Sequence, residues 1–185
     1  MSLWRLFALA LLFPSSSAFC SDSGSESIWI LIETKSHLLH VMAGEEEKEV
    51  FGWIAIGRKG AGLEKARNDD KTPIGEYRIG WVNENSKFRR FYGLTYPNLD
   101  NAKRAYRSGM IGESAFRAIM RASIIEEVPP QNTALGGQIG IHGIGAGDRR
   151  VHEEFDWTHG CIAMTNEQID RLGPWLKKGT LVVIR

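Results

Sequence analysis

The chain is poor in cysteine and proline and has no excess of charge of one sign. Its 185 residues include two cysteines, Cys20 and Cys161, and six prolines. Lysine plus arginine number 23 against 22 acidic residues, a formal net charge of +1. That balance excludes the strongly basic surface that a nucleic-acid backbone attracts. The basic pairs Arg58–Lys59, Arg89–Arg90, Arg149–Arg150 and Lys177–Lys178 are scattered and read as solvated faces. No apolar run approaches the roughly 20 residues of a membrane-spanning helix, so no stable membrane insertion is expected. Gly57, Gly60 and Gly62 do not open a helix after a strand, so no nucleotide or flavin site is read, and no cofactor is expected. A domain of roughly 160 residues buries about 70% of its unfolded surface and needs neither disulfide nor metal to complete a core.

The N-terminus differs from the rest. "MSLWRLFALALLFPSSSAFC" has one early arginine, an apolar stretch from Leu6 to Phe13, then proline and small residues. This pattern fits a secretory signal peptide over residues 1–20, with Ser16 and Ala18 preceding the cleavage point. Residues 21–27 read as a polar linker and residues 28–185 as one domain, exported to the periplasm or cell envelope. Acylation at Cys20 is a second option, opposed by the bulky Phe19 before it. With Cys20 removed or in a tail, Cys161 is a lone thiol where disulfides persist, and its retention there suggests use.

Alternating segments read as strands at "IWILIET" and "HLLHVMA", with a tight turn at Lys35–Ser36, then at "EVFGWIAIG", "TPIGEYRIGWV", "KFRRFYGLTY", "GGQIGIHG", "GCIAMT" and "TLVVIR". Arg58–Lys71 is Gly-rich and charged and reads as a loop. Asn98–Arg107 and Glu113–Ile125 read as helical, the second with Phe116, Ile119, Met120 and Ser123 on one face. Asn166–Lys178 reads as a helix stopped by Gly179. His37 and His40 are placed on opposite faces of a strand, at the surface. The fold expected is mainly β with a helical insertion, a sandwich or barrel-like sheet.

Cys161 sits in "DWTHGCIAMT". From the residues alone it could be an apolar core residue, half of a disulfide, a metal ligand or a nucleophile. The spacings of His142, His152, His159 and Cys161 match no zinc pattern, so no metal is expected. A nucleophilic thiol needs a base in reach and backbone N–H groups facing the developing oxyanion. "HGC" supplies a histidine and a glycine that permits a sharp turn, and "GIHGIG" places His142 between glycines. His142 is expected to lower the thiol pKa.

"IHGIG", a spacer running to Trp157, and "THGCIAMT" together resemble the catalytic signature of the L,D-transpeptidase (YkuD) family. "KTPIGEYRI" resembles its Thr-Pro-x-Gly stretch, "IWILIETKSHLLHVM" its opening hairpin and "GTLVVI" its closing strand. The resemblance implies a YkuD-like β fold and acyl transfer on peptidoglycan stem peptides. It makes Cys161 the nucleophile and His142 the base, with the Gly143 carbonyl orienting that histidine. His159 would line the site, and the N–H groups of Gly160 and Cys161 would form the oxyanion hole. Thr158 matches the family's Ser/Thr position and is taken as a substrate contact. Many members carry arginine two residues after the cysteine, where this chain has Ala163. Arg149 and Arg150 are then the nearest candidates in sequence for a substrate carboxylate, with Arg89 and Arg90 behind them. The acyl acceptor (an amine or water) and the oligomeric state are not readable from the sequence.

Overall fold

The computed structural model describes residues 27–185. The signal-peptide reading, Cys20 and all but the last residue of the linker lie outside the described residues. The order is β1 (Ile28–Glu33), β2 (Leu38–Ala43), β3 (Glu46–Phe51), β4 (Ala61–Gly62), β5 (Thr72–Pro73), β6 (Gly75–Ser86), β7 (Arg89–Leu94), α1 (Leu99–Arg107), α2 (Glu113–Ile124), β8 (Gly140–Gly143), α3 (Arg149–Glu154), β9 (Ile162–Met164), α4 (Asn166–Leu172), a 3-10 turn (Gly173–Trp175) and β10 (Leu181–Ile184). Among the described residues no helix is long and apolar enough to cross a membrane.

Eight strands form one mixed sheet in the order β3-β2-β1-β10-β6-β7-β8-β9. The pairs β1/β10 and β8/β9 are parallel and the others antiparallel. Alternation sends Ile30, Ile32, Leu39, Val41, Ile79, Ile141, Ile162 and Val182 into one core, each almost fully buried. The sheet also closes. The chain that continues β3 crosses to β9: the Ala55 N–H donates to the Ala163 carbonyl at 3.0 Å, and the Ala163 N–H donates back at 2.8 Å. The Arg58 N–H reaches the Thr158 carbonyl at 3.0 Å. The two outer strands are thereby joined, which gives the barrel-like closure its hydrogen bonds.

Local chemistry explains where the elements differ from the sequence reading. The third strand ends at Phe51, because Gly52 and Trp53, the latter at φ 60°, break the extended run. The first turn takes in His37, at φ 55°, so this histidine is in the turn and not on the strand. His40 is on β2 and largely covered, bonded through Nδ1 to Glu47 at 2.6 Å. α1 begins at a capping box in which Asn98 and Asn101 exchange side-chain-to-backbone bonds of 2.8 and 2.9 Å. α2 buries Ile119 and Ala122, with Phe116 packed at the core's edge, while Ser123 is exposed. α3 interrupts what reads as a loop, capped by Asp148. α4 stops at Leu172, well before Gly179, because Pro174 brings no N–H and the chain tightens into a 3-10 turn.

Candidate active site

β8 and β9 run side by side in parallel, with Ile141 beside Ile162 and His142 beside Ala163. Ile141 and Ile162 face the core. His142, Ala163 and Cys161, two residues before Ala163, therefore share the opposite face. His142 and Cys161 line one cleft of about 490 Å³, together with Trp81, Phe91, Trp157 and His159.

The His142 ring is held on all sides. Its Nδ1 lies 2.7 Å from the Gly143 carbonyl oxygen, which fixes the proton on Nδ1. Nε2 has no protein partner among the described residues and is left to act as an acceptor. Phe91, directly across the ladder, stacks on the imidazole with centroids 5.9 Å apart and 12° between planes. Phe88 lies 4.4 Å away and Trp157 meets the ring edge-on at 6.0 Å. The aromatic layer requires glycine beneath it: a Cβ at Gly140 would come within 2.6 Å of the Phe91 ring, and one at Gly93 within 2.0 Å of Trp81.

Burial sets the charge states. It pushes the His142 pKa below the ordinary histidine value, although the bond to Gly143 works the other way. It pushes the Cys161 thiol up to about 11, against the opposing pull of the Gly140 N–H and the Lys65 ammonium. The expectation of a lowered thiol pKa is thus overturned: desolvation of the thiolate outweighs every favourable neighbour, and His142, being neutral, offers no charge to offset it. The Cys161 Sγ–H points to the Gln138 carbonyl at 3.4 Å.

The turn before Cys161 is braced from within. The Thr158 hydroxyl accepts the Gly160 N–H at 3.0 Å and donates to the Cys161 carbonyl at 2.7 Å. Thr158 is buried. Its hydroxyl is therefore engaged by the turn and is not free for a substrate. The Gly160 N–H is equally committed, which leaves the Cys161 N–H as the amide without an acceptor among the described residues. Gly160 adopts φ 122°, and a Cβ there would meet the Lys71 carbonyl oxygen at 2.5 Å, so glycine is needed.

His159 stands at the lip, with Nδ1 2.7 Å from Asp70. Asp70 also takes the Arg58 Nε–H at 2.9 Å, and these two bonds hold its carboxyl far below the usual range. Arg149 and Arg150 are not among the residues lining the cleft. Both are on α3, Arg149 bonded to Glu153 at 2.8 Å and Arg150 exposed beside Asp148. Arg89 and Arg90 both bind Asp170. Sequence reasoning missed Lys65, which is buried and paired with Asp69 at 2.6 Å, its Cε only 3.2 Å from where a Gly160 Cβ would lie. It also missed Arg58 and Asp70. Their signal was the unusual charge density of the Arg58–Lys71 loop. Ala163, where many family members carry arginine, is fully buried, beside His142 in the ladder and bonded to Ala55.

The fold and this cleft define a closed, mainly β domain that sets a neutral histidine and a thiol on the outer face of neighbouring parallel strands. A family model of the L,D-transpeptidase catalytic domain (YkuD) matches residues 27–184, and the chain belongs to that family. No curated protein matches it. Among solved structures it resembles the helical cell shape determining protein Pgp2 of Campylobacter jejuni, at 23% identity and TM-score 0.59, over 86% of this chain and 47% of that one. Bd1075 of Bdellovibrio bacteriovorus is similar at 18% identity and TM-score 0.55, over 89% and 50%. An L,D-transpeptidase of Enterococcus faecium is similar at 11% identity and TM-score 0.50, over 87% and 50%. The chain thus spans about half the length of these structures.

Proposed function

We propose that the protein is an exported cysteine acyltransferase acting on peptidoglycan stem peptides in the cell envelope. The observation that carries this reading is one cleft lined both by the half-buried Cys161 thiol and by a neutral imidazole whose Nδ1 is pinned to Gly143 and whose Nε2 is left as the free acceptor. His142 Nε2 takes the thiol proton as Cys161 Sγ attacks the carbonyl carbon of the donor's terminal amide bond. The Cys161 N–H faces the oxyanion. When the tetrahedral adduct collapses, the C–N bond breaks, and the proton on His142 passes to the departing amine of the terminal residue. A thioester remains on Cys161. An incoming amine, or water, gives its proton to His142, attacks the thioester and releases the thiol.

Purified sacculi incubated with the protein test the reading. Cross-linked products or shortened stems, absent with Cys161→Ala, support it, the first identifying an amine acceptor and the second water. Unchanged muropeptides, with Cys161 unlabelled by a thiol-reactive substrate analogue, would overturn it in favour of a non-catalytic envelope binding module.

A further inference from the structure

Lys65 takes no part in the steps above, yet it is a buried charge set behind the turn that carries Cys161. Its side chain is 4% exposed. Its Cε lies 3.2 Å from where a Cβ on Gly160 would be, so the bare glycine is what lets the two approach. It is not among the residues lining the Cys161 cleft, and a substrate in that cleft does not touch it.

A buried ammonium needs a counter-charge, and Asp69 supplies it. Lys65 Nζ donates to Asp69 Oδ1 at 2.6 Å and to the Ala66 carbonyl at 3.3 Å. Asp69 also takes the N–H groups of Ala66 at 2.8 Å and Lys71 at 3.1 Å. Burial opposes its ionisation, but these bonds, Lys65 first among them, hold its carboxyl below the usual range. The ion pair is thus fixed by the loop's own backbone. The same loop meets the Cys161 turn twice more, through the Lys71 carbonyl at Gly160 and through Asp70, which bonds His159 at 2.7 Å.

Desolvation penalises a thiolate at Cys161. The Gly140 backbone and Lys65 pull the other way, and Lys65 is the full charge of the two. The other titratable side chains lining the cleft are His142, which is neutral, His159, which is paired with Asp70, and Lys87. Beside Lys65 stand Asp69, Glu64 and, from α1, Arg104. In a buried wall a charge acts with far less screening than at the surface. We infer that Lys65 is a positioning residue, a buried cation that stabilises negative charge on the Cys161 sulfur through the Gly160 turn. Its meaning for turnover rests on the proposed acyl transfer, but its hold on the thiol can be read with no substrate present.

The test is alkylation of Cys161 by iodoacetamide on the full chain between pH 8 and 11, scored by the mass of the Cys161 peptide. In Lys65→Met the rise of rate with pH should move to higher pH. A more basic thiolate is also more nucleophilic, so a tenfold loss of thiolate should slow the reaction at pH 8.5 by about threefold. Lys65→Arg keeps the charge, with a cavity of about 140 Å³ against α1 to take the larger head, and should restore the wild-type profile. Lys65→Met strands the Asp69 carboxylate, so Lys65→Met/Asp69→Asn, which removes both charges, is the second variant and should show the same displaced profile. A wild-type profile in both neutral variants, even with a lowered unfolding midpoint, would reduce Lys65 to packing and overturn the inference without touching turnover of sacculi. A displaced profile in a protein that leaves sacculi unchanged would support the hold of Lys65 on the thiol and remove the acyl-transfer reading.

Discussion

A thiol pushed up to about 11 and an imidazole held neutral by burial line the same cleft uncharged, so on the proposed reading proton transfer belongs to the attack and not to the resting state. Alkylation of Cys161 should therefore keep rising with pH beyond 9, without the plateau near neutrality that a thiolate–imidazolium pair would give. The lowered His142 pKa places the acid limb of kcat/KM below pH 6.5. The sign for stability agrees: a depressed histidine contributes above its unfolded value of about 6.5, and that contribution is lost as the pH falls through its folded value. A plateau in the alkylation profile between pH 6 and 8 would contradict the neutral pair. Arg149 and Arg150 make exposed ion pairs, with Glu153, Glu167 and Asp148, of the kind that solvent screens and that contribute little. Replacing both by alanine should leave tetrapeptide turnover within about twofold, and a larger drop in steady-state kcat/KM would return them to the substrate.

The turn from Thr158 to Cys161 is the element on which the cleft depends, because it fixes both the Cys161 carbonyl and the direction of its N–H. Gly160→Ala should cost about 1–3 kcal/mol for φ 122° alone, more with the contact to the Lys71 carbonyl, seen as a lower urea midpoint. An unchanged midpoint would mean that the turn relaxes freely. Elements of this kind divide by how local their causes are. The strands built on Ile30, Leu39, Ile79 and Val182 were legible because alternation is written in the sequence. That His142 and Cys161 share a cleft was legible because two His-Gly steps precede the cysteine, the second immediately. α3 was not, since six residues carry too little periodicity and its Asp148 cap looks like any loop aspartate. Lys65 was missed because a lysine's burial depends on Asp69 and on the barrel wall behind it. The thiol's pKa was misjudged for the same reason: desolvation is a property of the packed surroundings.

At the scale of the whole molecule, the face that carries His142 and Cys161 exists because the sheet closes. Segment 54–58 joins β9, and Ala55 and Ala163 are both buried where they exchange hydrogen bonds. Two small side chains let the backbones approach at the seam, and that approach covers the flank of His142, which lies beside Ala163 in the ladder. An arginine at 163 could bring its guanidinium to solvent only by forcing the seam apart, and overpacking of that kind costs about 1–3 kcal/mol or more. The opening would also wet His142, removing the desolvation that keeps it neutral. Ala163→Arg should therefore lower the midpoint of thermal unfolding, speed amide exchange at Ala55 and position 163 together, and raise the His142 pKa towards 6.5, while turnover falls. A variant with wild-type exchange at both amides and increased kcat/KM would show that the seam has room for a cation, and that the small residue at 163 is a choice of substrate and not a requirement of closure.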